Sequence, residues 1–343
     1  MNSTSAEADP TFQPSTLMPE IQYREALRQA MTEEMDRDPN VFLLGEEVAE
    51  YNGAYKVSEG MLARFGPERV IDTPISEAGF SGLGLGAAMC GLRPIVEFMS
   101  WSFSLVCMDQ LMNNAANIRY MSGGQFKLPI VFRGGNGIAH QLAATHSHRV
   151  DAIFSRVPGL VVIAPSNPYD AKGLLKSAIR CDDPVIFLES EIMLADKGEV
   201  PEEEYTLPIG IADIKRPGSD VTLICWSKMV KLCLNAAAEL QQQHGIDAEV
   251  LDLRTLRPLD EETIAQSIRK THRCVIVDED WGYCGMGAGV MEKVYQKNFD
   301  ELDAPVGRVS CEDVPVPYNH YLELAMQPSV EKVIATVRDV CYA

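Results

Sequence analysis

Leu160-Val-Val-Ile-Ala-Pro-Ser-Asn-Pro-Tyr-Asp-Ala-Lys-Gly-Leu-Leu-Lys-Ser-Ala-Ile-Arg-Cys-Asp-Asp-Pro-Val-Ile-Phe-Leu188 decides the fold of this chain. Its ends, Leu160–Ala164 and Pro184–Leu188, are short apolar runs with the length and β-branched character of buried strands. Between them Asp170–Arg180 has the apolar spacing of a helix. Strands alternating with helices at these lengths mean a parallel sheet covered on both faces. The same rhythm runs toward the N-terminus: helix Tyr23–Asp36 through Ala26, Leu27, Ala30, Met31 and Met35, strand Val41–Leu44, helix Gly79–Cys90, strand Pro94–Phe98, helix Leu105–Arg119 and strand Pro129–Phe132.

The alternation stops between Glu189 and Pro217, at Lys197-Gly198, Pro201-Glu-Glu-Glu204 and Pro208-Ile-Gly210, which marks a domain boundary. A second series follows, with strands Asp220–Trp226, Ala248–Leu253, Cys274–Glu279 and Val306–Ser310. Its helices are Met229–Gln243, Glu261–Lys270, Gly287–Lys297 and Val330–Val340. The expected fold is α/β, two doubly wound domains over residues 21–205 and 206–343. Residues 1–20, rich in Ser, Thr, Pro and acid without apolar periodicity, are expected to be a disordered N-terminal arm.

Forty-nine acidic against 30 basic side chains give a net charge of −19, which disfavours nucleic acid as a partner. No apolar run is long enough to span a membrane, and the first residues match neither a secretory nor an organelle signal, so the cytoplasm is the expected location. The nine cysteines are odd in number and contain no Cys-x-x-Cys pair, which fits reduced thiols better than a disulfide framework.

Three clusters carry chemistry. Asp72-Thr-Pro-Ile-Ser-Glu77-Ala-Gly-Phe-Ser-Gly-Leu-Gly-Leu-Gly86 sets one carboxylate at the mouth of a Gly-rich helix with no polar partner nearby. Gly82, Gly84 and Gly86 would let a neighbour approach closely. A plain helix cap is the competing reading. Arg133-Gly-Gly-Asn-Gly-Ile-Ala-His140-Gln-Leu-Ala-Ala-Thr-His146-Ser-His148-Arg149 is a loop beyond a strand's carboxyl end, where α/β ligands bind. Its three histidines lack a carboxylate or Cys at ligand spacing, so His146 reads as a proton or hydrogen-bond donor rather than a zinc ligand. Glu97-Phe-Met-Ser-Trp101-Ser-Phe103 adds aromatic faces that could carry a flat ring, although core packing accounts for most such clusters.

Taken in order, Leu44-Gly-Glu46-Glu47, Asp72–Glu77, Glu97–Phe103, Tyr120-Met-Ser-Gly-Gly124, Phe132-Arg-Gly134 and Thr145-His146-Ser147 resemble the β subunits of thiamin-diphosphate-dependent 2-oxo acid dehydrogenases. The resemblance runs from about Ile21 to the C-terminus. Pro165–Arg180 and Ser310-Cys-Glu-Asp-Val-Pro-Val-Pro-Tyr318 are most similar to the pyruvate dehydrogenase branch. It implies a pyrimidine-binding domain followed by a transketolase C-terminal-like domain. It also implies that Glu77 hydrogen-bonds the aminopyrimidine of thiamin diphosphate, that Phe103 stacks on that ring, that Glu46 is a second pocket carboxylate and that His146 assists acyl transfer. Thr145 and His148 depart from the Gln common in the family at both places, beside the chemistry.

The diphosphate and magnesium of thiamin enzymes are held by a Gly-Asp-Gly segment and a later Asn, and this chain has no Gly-Asp-Gly. The resemblance places that motif on a separate α chain, implying a shared active site in an assembly of two α with two β chains that is inactive without α. It further implies decarboxylation of pyruvate with acetyl transfer to the lipoyl group of a dihydrolipoyl acetyltransferase core. A structural potassium on main-chain carbonyls of Ile130, Ala178, Ile179, Cys181 and Asp183 is implied as well. Branched-chain 2-oxo acid and acetoin dehydrogenases share the scaffold. A non-catalytic docking subunit is a reading from another class, but it would need none of Glu77, Phe103 and His146.

Overall fold

The computed structural model describes residues 18–343. In chain order its strands begin with β1 (Glu20–Gln22), β2 (Val41–Gly45), β3 (Val70–Asp72), β4 (Arg93–Phe98), β5 (Val131–Asn136), β6 (Val161–Ile163) and β7 (Val185–Ser190). They continue with β8 (Lys197–Glu199), β9 (Asp213–Arg216), β10 (Val221–Cys225), β11 (Ala248–Asp252), β12 (Thr255–Arg257), β13 (Cys274–Trp281) and β14 (Gly307–Cys311). The first helices are α1 (Tyr23–Arg37), α2 (Met61–Phe65), α3 (Glu77–Met89), α4 (Ala116–Met121), α5 (Asp151–Ser155) and α6 (Pro168–Arg180). The rest are α7 (Met229–Glu239), α8 (Glu261–Thr271), α9 (Met286–Asn298), α10 (His320–Met326) and α11 (Val330–Cys341).

The unit quoted at the outset is β6-α6-β7. Its strands pair in parallel with Val161 opposite Val185, inside a seven-stranded sheet of order β12-β6-β7-β5-β4-β2-β3. Asn167 starts α6 by accepting the Asp170 N–H at 2.9 Å, and Pro168 fits the first turn because no helical partner is lost there. One side of α6 packs on α1, where buried Glu34 takes Arg180 at 2.7 Å. The second sheet has five strands in the order β14-β13-β10-β11-β9. Phe42, Phe98 and Phe132 of the first sheet share one apolar core with Ile224, Leu251 and Ile276 of the second.

Each sheet ends in an antiparallel strand that the apolar pattern does not announce: β12 runs against β6 and β9 against β11. Both strands are short and gain their hydrogen bonds from distant partners, so local periodicity carries little of their signal. β12 also follows the irregular segment expected to separate the domains, yet it belongs to the first sheet. Residues 1–17 of the expected disordered arm lie outside the described residues. Glu20, its last residue, opens β1 and pairs with Glu199 of β8, so order begins before residue 21.

The helix expected over Leu105–Arg119 is three pieces: a 3-10 turn over Trp101–Cys107, a π segment over Asp109–Ala115, and α4. Asparagine amides explain the widening. Asn114 reaches the Asp109 carbonyl at 3.4 Å, while Asn117 takes the carbonyls of Met112 and Asn113 at 2.9 and 3.2 Å. Trp101 and Glu97 are structural rather than pocket groups. The Trp101 ring is fully buried against Phe98 and Phe154, and its N–H donates to the Phe187 carbonyl at 3.3 Å. Glu97 and Glu189 together pair with the buried guanidinium of Arg133. Close approach at the α3 glycines is needed at Gly84, where a Cβ would stand 2.9 Å from Val96, but Gly86 faces open space.

Candidate active site

Five neighbouring strands, β7-β5-β4-β2-β3, end on one rim of the first sheet. Glu46 is the first residue after β2, Glu77 begins α3 just beyond β3, and Phe103 lies in the 3-10 turn after β4. His146 lies in the loop after β5, and Glu191 follows β7. Residues far apart in sequence therefore meet because parallel strands deliver all their carboxyl ends to one edge, the usual ligand edge of an open α/β sheet.

Glu46 and Glu77 are both buried there. Glu77 thus meets a carboxyl from another strand end, a polar partner that the sequence around it did not announce. Burial pushes the Glu46 carboxyl up to about 7, and the charge of Glu77 and a hydrogen bond with it add to the rise. The charge of Glu77 beside it disfavours ionisation of Glu46 in this pocket. Glu46 Oε1 is buried with no protein partner. Cys107 lines the same region near Ser81 and Glu77, its thiol pushed up to about 11 by burial, so it is neutral and unsuited to nucleophilic work.

Phe103 is half-buried, and the His146 ring stands edge-on to it, with centroids 5.2 Å apart and planes at 85°. His146 is exposed, with Nδ1 2.9 Å from Thr145 Oγ1. Thr145, one of the two departures noted in the sequence, thus contacts the imidazole. His140 and His148 lie on the same loop, and His148 donates its main-chain N–H to Ser102 at 3.1 Å. Among the described residues no three His, Cys, Asp or Glu side chains are arranged to hold a metal.

Glu191 and Tyr55 belong to this rim and were not anticipated. Burial pushes the Glu191 carboxyl up, against the opposing pull of a hydrogen bond from Tyr55 and of nearby His140 and His146. The sequence signal was weak: Glu191 lies in the segment read as a domain boundary, and Tyr55 in an irregular stretch after β2.

The residues fit the aminopyrimidine half of thiamin diphosphate. An unpartnered carboxyl oxygen, a Glu46 carboxyl biased toward its protonated form and an accessible aromatic face match what a protonatable heteroaromatic amine needs. The potassium set is more crowded. The carbonyls of Ile130 and Ala178 accept the N–H groups of Val185 and Cys181 at 2.9 and 3.2 Å. Those of Ile179 and Cys181 accept Arg93 Nε and Nη2 at 2.9 and 2.8 Å, and the Asp183 side chain pairs with Arg119. An ion there would use the second lone pair of each oxygen, beside the Arg93 guanidinium.

Residues 19–197 match the family described as transketolase, pyrimidine binding domain, and residues 210–333 match transketolase, C-terminal domain. The chain is 54% identical to a Rickettsia felis protein named pyruvate dehydrogenase E1 component subunit beta, over 94% of this chain and 99% of that one. It is 48% identical to the Oryza sativa pyruvate dehydrogenase E1 component subunit beta-2, mitochondrial, over 99% and 91%. A solved split-gene transketolase, described as an inactive beta4 tetramer, superposes with a TM-score of 0.74 at 22% identity, covering 94% of this chain and 99% of that one, which is a likeness of fold. With both domain families matched in order and near full-length relatives at about half identity, the chain belongs to the family of pyruvate dehydrogenase E1 component β subunits.

Proposed function

We propose that this chain is the β half of a thiamin-diphosphate-dependent pyruvate dehydrogenase, acting in the cytoplasm as two copies with two α chains. The observation that carries the reading is the Glu46–Glu77 carboxyl pair beside Phe103 and His146 on one strand-end rim, in a chain about half identical to named β subunits. Thiamin diphosphate, when bound, supplies the electron sink for losing carbon dioxide from a 2-oxo acid. Glu77 would hold the proton at a ring nitrogen of the aminopyrimidine, with Glu46 keeping that proton in the pair. Phe103 would orient the ring by stacking. His146 would donate a proton where the acetyl group passes to a lipoyl sulfur of the acetyltransferase core.

The diphosphate and its magnesium fall to the α chain in this reading. Potassium at the 178–183 turn would be structural, sharing carbonyls with Arg93, and would raise the thermal midpoint in potassium chloride over that in sodium chloride.

The test is reconstitution. The β chain alone should not turn over pyruvate, and co-expression with an α chain carrying Gly-Asp-Gly and a downstream Asn should restore thiamin-dependent acetyl transfer to lipoamide. Pyruvate, 2-oxoisovalerate and acetoin are compared on that assembly, with pyruvate expected to give the highest kcat/KM. Turnover by β shown by mass spectrometry to be free of α would overturn the split site; preference for either other substrate would reassign the branch.

A further inference from the structure

The loop that carries His146 is not relaxed backbone. Gln141 and Ala143, neither a glycine, have φ of 57° and 64°, a left-handed region that side chains disfavour and that persists only where surroundings hold it. The loop's base is closed on itself and held by the C-terminal half: Gly137 N–H donates to the His148 carbonyl at 3.2 Å, and Ile138 N–H to Glu279 Oε1 at 2.8 Å. Farther out, at the first left-handed residue, the Gln141 N–H donates to Glu323 Oε2 at 2.9 Å. Glu323 comes from α10 and is 4% exposed, although the neighbouring Tyr321, Leu322 and Leu324 on that helix face solvent. A carboxylate turned inward on a largely exposed helix has a specific task. A charged acceptor on a main-chain N–H is among the stronger hydrogen bonds a protein makes.

We propose that Glu323 is a positioning residue for His146: by accepting the Gln141 N–H, it fixes the left-handed turns that set the imidazole edge-on to Phe103. The C-terminal half thereby aims a side chain on the rim of the first sheet. The inference rests on the reading of His146 as the acetyl-transfer donor, and the experiment separates the two.

Wild type, Glu323→Ala, Glu323→Gln, His146→Ala and the double variant E323A/H146A are each assembled with the α chain. Amide hydrogen exchange over residues 138–148 and acetyl transfer to lipoamide are measured on the same preparations, with the thermal midpoint as the folding control. E323A should speed exchange in that segment and lower kcat for acetyl transfer about 10-fold, with KM for pyruvate little changed. E323Q keeps an acceptor oxygen and should recover most of both. In the H146A background, E323A should cost less than about 2-fold, because a residue acting through His146 has nothing left to position. Unchanged exchange in E323A, or losses that multiply in the double variant, would overturn the proposal. If E323A does not assemble, exchange and transfer in E323Q decide: with the acceptor kept, large losses in both would show that Glu323 acts otherwise. A harmless H146A would remove the donor role of His146 while leaving the exchange result to judge the tether.

Discussion

Glu46 is the residue whose environment most constrains the chemistry. Its carboxyl stands at about 7 against an ordinary 4.5, chiefly through burial and then through Glu77. A raised folded-state value means that protonated Glu46 contributes stability below about pH 4.5, and that this contribution is lost as pH rises through about 7. Glu46→Gln keeps the shape and removes the titration. Between pH 5 and 8 the variant of the isolated chain should therefore gain on wild type by roughly 1 kcal/mol after allowance for solvent screening, read from urea midpoints. A constant difference across that range would mean Glu46 does not titrate there. Glu77→Gln tests the partner. An amide cannot exchange a proton with a ring nitrogen, so turnover of the assembled enzyme should fall about 10²-fold or more with association to α preserved. Near-normal turnover would take Glu77 out of the chemistry. The contact between these residues was not legible in the sequence, since Glu46 and Glu77 meet only when β2 and β3 lie side by side.

Among the elements, the buried strands were legible and the edges were not. β2, β4, β5 and β7 are buried along most of their lengths, and each contains a short apolar run, such as Val131-Phe132 in β5, that periodicity finds. β8, β9 and β12 are three- or four-residue strands whose register is set by partners elsewhere. The 3-10 and π character of the helix from Trp101 to Met121 was not legible for a different reason: its asparagines compete for main-chain carbonyls, which apolar spacing does not record. That helix is held from outside by Gly159, whose φ is +94° and where a Cβ would lie 2.0 Å from the Ala116 carbonyl oxygen. Gly159→Ala should cost about 2–4 kcal/mol, since neither backbone can yield freely. Gly86→Ala is the contrast. With open space at that helical position, it should stabilise the isolated chain by about 0.5–1 kcal/mol. Equal urea midpoints for the two variants would refute this account of the glycines.

At the scale of the whole molecule, the two α/β halves were legible as a repeated rhythm, but their mutual dependence was not. Buried polar groups from each half find their partners in the other. Trp226 Nε1 donates to Asp151 at 3.0 Å, Arg149 bridges Asp151 and Glu279 at 2.7 and 2.6 Å, and Ser166 donates to Asp252 at 2.5 Å. Asp170 and Arg254 pair across the same junction at 2.5 Å. Removing Arg149 would leave the buried Asp151 carboxylate without its cationic partner, at a cost of about 3–5 kcal/mol. β12 adds a main-chain link, because without it β6 would present an unpaired strand edge. The full chain should therefore unfold in urea as one transition, with tryptophan fluorescence and far-ultraviolet circular dichroism coinciding. A fragment ending at residue 205 should lack a cooperative transition and aggregate, since it would expose the β6 edge and leave Asp151 and Asp170 without their cross-half partners. Two separated transitions in the full chain, or a soluble fragment with its own sharp midpoint, would show that the halves are independent and that the tether from Glu323 to the His146 loop has no shared core behind it.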